Sequence, residues 1–414
     1  MDVSTDRLRA DIRENAEHGG FEGDGGPGRT VLTGGPADEG TRDLFVSKLR
    51  TAGLEPRVDA VGNVAGRYAP DGVDPERAPV AVGSHLDSVR SGGIFDGPLG
   101  VYAGLEAVRA IDAAAVTLSR PIEVVSFTEE EGGRYASQLG SSVATGHRDV
   151  EEALALTDGE GISLGDRLED IGYRGTETID AATWDAWIEL HVEQDTLLER
   201  EGAQVGIVDA ITGIANCRVE VDGRADHAGS TGMFDRADAL AAAADLVRAV
   251  EAAGREHAIE TDGTAVATVG ELDVEPNVRN IVPETVSATL DIRDVDEGVM
   301  DAMIERVRKA GARVTRERAV DISVDHYRHD PPSEMSPRCI EAAREAADDA
   351  EIEYRNTHSA GMHDTALVAD VTDAGLLFAP SRDGVSHSPR EWTDWEDCTA
   401  ATEGLAQTLV RLAR

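Results

Sequence analysis

Gly83-Ser-His-Leu-Asp-Ser-Val-Arg-Ser-Gly-Gly-Ile-Phe-Asp-Gly-Pro-Leu-Gly100 is the stretch from which the fold can be read. The apolar run from Pro79 to Gly83 predicts a buried strand that stops at His85-Leu-Asp87. A glycine-rich loop carrying Asp96 follows, and a helical pattern opens at Gly100. In an open α/β sheet, ligands gather beyond the carboxyl ends of the strands, so reactive side chains belong here. His85 and Asp87 stand two residues apart, so both face one crevice while Leu86 packs behind them. The expectation is half of a two-metal centre. His85 supplies a nitrogen, Asp96 a bridging carboxylate, and Asp87 orients the His85 ring from behind. Taken alone, a His-x-Asp pair is short and common, and a solvated loop would carry the same residues.

The pattern then recurs. Ile122 to Thr128 is strand-like and ends in Glu129-Glu-Glu-Gly132. Trp187 to Leu190 ends in His191-Val-Glu-Gln194, and Leu376 to Ala379 leads into the segment from Ser381 to Pro389, which contains His387. Four apolar runs thus deliver histidines and acids at their ends, which four unrelated loops would rarely do.

Strand and helix alternate around these runs, which predicts an α/β fold with a mostly parallel sheet. Helices are expected at 6–17, 43–52 and 100–115, a loop at 19–40, and a hairpin at 55–68 turning on Gly62-Asn63. Near residue 211 the order becomes strand 217–221, helix 235–253, strands 264–272 and 285–292, helix 297–310 and strand 313–324. That β-α-β-β-α-β order is the split motif of a ferredoxin-like α+β domain. The expected organisation is a catalytic domain in two parts, 1–210 and 329–414, interrupted by a smaller domain at 211–328. Helices at 337–350 and 395–412 close the chain.

The residues now resemble a family of dinuclear zinc amidases: N-carbamoyl-L-amino-acid hydrolases, allantoate amidohydrolases and β-ureidopropionases, related to zinc aminoacylases and aminopeptidases. The matching segments are Gly83-Ser-His-Leu-Asp-Ser88, Phe95-Asp-Gly-Pro-Leu-Gly100, Phe127-Thr-Glu-Glu-Glu-Gly132 with Arg134, Glu189-Leu-His-Val-Glu-Gln194, Asp226-His-Ala-Gly229, Pro276-Asn-Val-Arg-Asn280, Leu290-Asp-Ile-Arg293 and Ser386-His-Ser-Pro389. They follow the family's order from residue 83 to 389. The resemblance implies a metallopeptidase-like large domain and a lid and dimerisation domain. It implies His85, bridging Asp96, Glu131, His191 and His387 as ligands of two divalent ions; zinc comes first, and manganese and cobalt suit the donors too.

It further implies Glu130 as general base, taking a proton from water and returning it to the leaving nitrogen. Gln194, His227, Asn280 and Arg293 would bind substrate, with Arg293 gripping a carboxylate through its planar fork. His227 would also be catalytic, stabilising an oxyanion in the site of a neighbouring subunit, so a homodimer with a hinged lid is expected. The reaction implied is hydrolysis of the carbamoyl C–N bond of an N-carbamoyl-L-amino acid, releasing ammonia, carbon dioxide and the amino acid. Allantoate amidohydrolase or β-ureidopropionase are the sibling readings. An aminoacylase, a metallopeptidase or a non-catalytic metal-binding homologue stand further off. The chain departs from the family at Glu129, where many relatives carry Asn, at Asp195, where Gly is usual, and at Met362, where a small residue is usual.

Composition bounds the setting. The 414 residues carry 80 acids against 39 Lys and Arg, a formal net charge of -41. That surface would repel nucleic acids and anionic membranes, so neither is expected as a partner; the small ureido or carbamoyl carboxylate is the partner that the resemblance implies. The three cysteines, Cys217, Cys339 and Cys398, are too scattered for a disulfide framework. The first residues show no apolar signal core, so a cytoplasmic setting is expected. Self-repulsion at this charge opposes compactness, yet at molar salt the screening length falls to about 3 Å. A salt-rich cytoplasm is therefore expected. Urea denaturation at low and molar KCl checks it: stability should rise with salt, and equal midpoints would refute the expectation.

Overall fold

A computed structural model describes residues 1–261 and 263–414. The chain forms two compact units. One comprises Met1–Asp209, Glu334–Thr357 and Met362–Arg414; the other comprises Ala210–Ser333 and His358–Gly361.

In the first unit the four apolar runs are strands Val80–His85, Ile122–Phe127, Ala186–Val192 and Ala374–Ala379, buried at every residue. They pair in parallel at the centre of one sheet, in the order 374–379, 186–192, 80–85, 122–127. Apolar side chains on both faces are what a parallel strand covered by helices on both sides requires. The wings are antiparallel: Val64–Tyr68 and then Glu55–Val58 beyond Ile122–Phe127, and Val205–Ile211 beyond Ala374–Ala379. The sheet is therefore mixed but parallel where it matters, so four strand ends open on one edge. Helix Pro98–Ala113 starts directly after the Asp96 loop, and a Cβ on Gly100 would lie 2.2 Å from the Leu190 carbonyl oxygen. That close approach is open only to glycine and seats the helix against the strand carrying His191.

The segment expected as a loop at 19–40 is more ordered. Gly20–Gly23 pairs with Gly26–Arg29, and a helix opens at Pro36 rather than Asp43, running over Pro36–Thr51. Its first turn reads as loop because it is charged. Asp38 and Arg42 are buried and paired, Nε to Oδ1 at 2.7 Å, so polar residues occupy inward positions.

The second unit is a four-stranded antiparallel sheet, ordered Val266–Glu275, Thr285–Asp294, Gly213–Asp222, Asp321–Asp330. Helices Ala239–Glu260 and Glu297–Arg318 pack on it. Burial alternates residue by residue along Thr285–Asp294, as one covered face demands. One expectation fails: 313–324 is not a strand. The helix continues to Arg318 and the strand begins at Asp321. Val314 faces the core while arginines and glutamates, good helix formers, fill the outer face. Among the described residues no helix is long and apolar enough to cross a membrane.

Candidate metal centre

Each of the four parallel strands brings one group to the same edge. His85 is the last residue of its strand and is buried. Its Nε2 lies 3.5 Å from Asp96 Oδ1 and 3.8 Å from Glu130 Oε2, while Nδ1 faces Asp87 Oδ1 at 3.5 Å. His191, near the end of Ala186–Val192, approaches Asp96 Oδ1 through Nε2 at 3.3 Å. Its Nδ1 lies 3.1 Å from the Val192 carbonyl, an acceptor that assigns the ring hydrogen to Nδ1 and leaves Nε2 free for a ligand. His387 reaches Asp96 Oδ2 at 3.4 Å and Glu131 Oε2 at 3.5 Å.

Two groups result, His85 with Asp96 and His191, and Asp96 with Glu131 and His387; within each, ligand atoms lie within 4.8 Å of one another. Asp96 belongs to both and turns a different oxygen to each. Imidazole nitrogens and carboxylate oxygens around one shared carboxylate form a donor set that could hold two divalent ions. The donors fit such a pair without rearrangement of the strands.

The three consecutive glutamates diverge because the strand has ended. Glu129 takes a left-handed φ of 56° and turns away, its Oε1 accepting the N–H groups of Arg134 and Tyr135, each at 2.6 Å. Glu130 then faces His85 and Glu131 faces His387. Asp87 also holds this corner, accepting the N–H of Glu130 at 3.2 Å and of Glu131 at 3.1 Å. Burial, with the carboxylates of Asp364, Glu131 and Asp87, pushes Glu130 well above the ordinary carboxylate range, against the pull of His85. Burial also raises Asp96, but His191 and His85 outweigh it and hold Asp96 well below that range. Burial draws His191 down, yet Asp96 carries it up to about 9.

Gln194 points its amide nitrogen at Asp96 Oδ2, 3.3 Å away, and at Ser386 Oγ, 3.4 Å away. Asp195 is exposed and needs no left-handed backbone, and Met362 is half-buried beside His363. In the second unit, His227 and Asn280 come together where Asp226–His227 pairs with Ile281–Val282, and the Asn280 carbonyl accepts the Ala228 N–H at 3.0 Å. The His227 Nδ1 accepts the N–H groups of Gly229 and Ser230, both at 3.0 Å, so the neutral ring carries its hydrogen on Nε2. Arg293 stands apart from them, near the far end of Thr285–Asp294. There Nε and Nη2 bond Asp291, and Nη1 donates to the Ala360 carbonyl at 2.8 Å.

Reading the sequence passed over Arg29 and Glu391, because nothing in their neighbourhood marks either. Arg29 is fully buried; its guanidinium donates to the carbonyls of Leu86 at 3.0 Å, Asp87 at 2.8 Å and Asp96 at 3.3 Å. It places a fixed positive charge behind the acids. Burial lowers the Arg29 pKa, and Asp87, Asp96, Glu391 and Glu131 push back.

The description of peptidase family M20/M25/M40 matches residues 81–411. An N-carbamoyl-L-amino-acid amidohydrolase of Paenarthrobacter aurescens is 39% identical over 417 residues, covering 100% of this chain and 99% of the relative. A ureidoglycolate hydrolase of Arabidopsis thaliana is 32% identical, covering 91% of this chain and 80% of the relative. The crystal structure of an amidase of the hydantoinase/carbamoylase family from Burkholderia multivorans superposes with a TM-score of 0.93 at 34% identity, over 99% of this chain and 98% of that one. The architecture and these relatives define a hydrolase acting on C–N bonds. The chain belongs to peptidase family M20/M25/M40.

Replacing Arg29 with Leu leaves three buried carbonyls and several acids without their cation, so stability should fall by about 3–5 kcal/mol in urea denaturation at molar salt. A loss below about 1 kcal/mol, the level of an ordinary hydrogen bond, would remove Arg29 from this role.

Proposed function

We propose that the protein hydrolyses the carbamoyl C–N bond of N-carbamoyl-L-amino acids, releasing ammonia, carbon dioxide and the L-amino acid. The observation that carries this reading is the pair of ligand groups sharing Asp96 at four parallel strand ends. Relatives named for this activity at 39% and 38% identity support the substrate class. Ureidoglycolate hydrolases at 32% identity keep a ureido carboxylate of the allantoate or β-ureidopropionate kind as the second reading.

His85, Asp96 and His191 would hold one divalent ion, zinc before manganese or cobalt, and Asp96, Glu131 and His387 the other. Bound there, the ions supply Lewis acidity toward the scissile carbonyl and acidify an attacking water toward neutral pH. Glu130, whose Oε2 lies 3.8 Å from His85 Nε2 beside the ligand groups, takes the water's proton on its carboxylate and delivers it to the leaving nitrogen. Asp87 keeps the His85 ring in register and fixes the backbone under Glu130.

Gln194, Asn280, His227 and Arg293 position the substrate, with the Arg293 guanidinium gripping the carboxylate. His227 donates from Nε2 to the developing oxyanion of a substrate held by a second copy. Geometry within the second unit supports that division. His227 and Asn280 adjoin the Thr285 end of its strand, and Arg293 lies roughly 27 Å along it, at about 3.4 Å per residue. One active site can hardly draw on both ends of one unit, so the site is completed by a homodimer. Met233 and Phe234, exposed on the loop after His227, give that end an apolar surface for the contact. The smaller unit then serves as lid and dimerisation domain in a salt-rich cytoplasm, consistent with the net charge of -41.

Hydrolysis of a panel of N-carbamoyl amino acids, allantoate, ureidoglycolate, N-acetyl amino acids and dipeptides tests the assignment, read as ammonia from the carbamoyl and ureido substrates and as free α-amino groups from the acetyl and peptide substrates. Turnover should be fastest on an N-carbamoyl-L-amino acid, and cleavage of the acetyl or peptide substrates alone would overturn it. Glu130→Gln should abolish turnover while both ions stay bound; loss of metal would mean that base and ligand are interchanged. Arg293→Lys should raise KM at least tenfold at nearly constant kcat, because a point charge cannot replace the fork. An unchanged KM would take Arg293 out of the substrate site.

A further inference from the structure

We propose that Glu391 is a positioning residue that fastens the Asp96 loop to the His387 loop and so sets the affinity of the second metal position. The inference rests on the two-ion reading above and adds a residue to which that reading assigns no role. Glu391 is 1% exposed. Its Oε1 accepts two backbone N–H groups, of Phe95 at 2.9 Å and of Asp96 at 3.0 Å. Its Oε2 accepts from the Ser386 hydroxyl at 3.0 Å, and that same hydroxyl lies 2.6 Å from Asp96 Oδ2. One carboxylate therefore touches the backbone that aims Asp96 and, through Ser386, both the Asp96 carboxylate and the residue preceding His387.

The surroundings are shaped for it. A Cβ on Gly93 would fall 2.3 Å from Glu391 Oε1, so only glycine leaves room for the side chain at this point of the loop. The Glu391 N–H closes a turn on the Ser388 carbonyl at 2.9 Å, which fixes its distance from His387. The need for such a fastening differs between the two ligand groups. His85 and His191 sit on strands whose ladders already hold them. His387 sits on a loop with a left-handed φ of 54°, its side chain 51% exposed. Freeing the loop should therefore weaken the Asp96, Glu131 and His387 position far more than the other. Removing an outer partner of a metal ligand typically costs 10–100-fold in affinity.

A glutamine can replace Glu391 without losing the geometry. Its oxygen would accept the Phe95 and Asp96 N–H groups, and its amide would donate to Ser386 Oγ, leaving the hydroxyl hydrogen to Asp96. Hydrogen bonding rather than charge is thus the predicted requirement.

The test is zinc uptake by the full-length apoprotein at molar salt, titrated against a chelator of known affinity, with no activity readout. Wild type should take up two ions. Glu391→Ala and Ser386→Ala should bind the first ion as wild type does and the second 10–100-fold more weakly. Glu391→Gln should restore the second to within about threefold. Should Glu391→Ala not fold, Ser386→Ala and Glu391→Gln still decide the matter. If Ser386→Ala or a folded Glu391→Ala binds both ions as wild type does, or if Glu391→Gln loses the second ion, the positioning role is wrong while the two-ion reading stands. A wild-type chain that takes up fewer than two ions overturns that reading, and this inference with it.

Discussion

Several carboxylates share a small buried volume with few cations, and the rest of this molecule is arranged to make that tolerable. Asp87, Asp96, Glu129 and Glu391 are all buried, and Glu130 and Glu131 stand beside them. Two like charges about 4 Å apart repel by about 4 kcal/mol near a protein surface. The fold offsets this with the buried Arg29 guanidinium behind, and His85, His191 and His387 turn ring nitrogens toward Asp96 in front. It also spends backbone donors on the acids. Glu129 takes two N–H groups, Asp87 takes two and Glu391 takes two, so main chain helps to anchor all three, with His85 also facing Asp87.

Such an arrangement needs several chain segments to end at one place, and a parallel sheet provides it. Four neighbouring strands running the same way bring four ends to one edge, and each contributes different chemistry as its apolar run gives out. The antiparallel wing contributes arginines instead: Arg57 and Arg67, with the Trp184 indole, hold Glu123, which is buried on the adjoining parallel strand. The corners after the strands are where backbone strain collects, at Glu129 and His387, both with positive φ. A left-handed corner costs about 1 kcal/mol or more at a non-glycine residue and persists only where surrounding contacts over-determine it. Here those contacts are the turn closed on Glu129 and the one closed by Glu391.

Periodicity made much of this legible. Largely apolar runs at 79–83, 122–128, 187–190 and 376–379 announced the four strands that end at the site. Elements whose inward positions are charged or small were misread. The helix over Pro36–Thr51 hides Asp38 and Arg42 in its first two turns, and the helix to Arg318 buries Val314 in a run of charges that resembles a strand edge. Arg29 and Glu391 were invisible for a related reason. A buried ion looks in sequence like any surface ion, and only its partners, 58 and 296 residues away, reveal it.

The sequence by itself determined the strand pattern, the α/β class and which histidines and acids stand at strand ends, because hydrophobic period and local turn chemistry are properties of neighbouring residues. Tertiary structure alone decided which of Glu129, Glu130 and Glu131 faces which imidazole, that Asp96 offers a different oxygen to each ligand group, and that Arg29 and Glu391 brace the loops from behind. These depend on backbone direction where a strand stops and on groups brought together from distant parts of the chain. Distance along the chain carries no record of either.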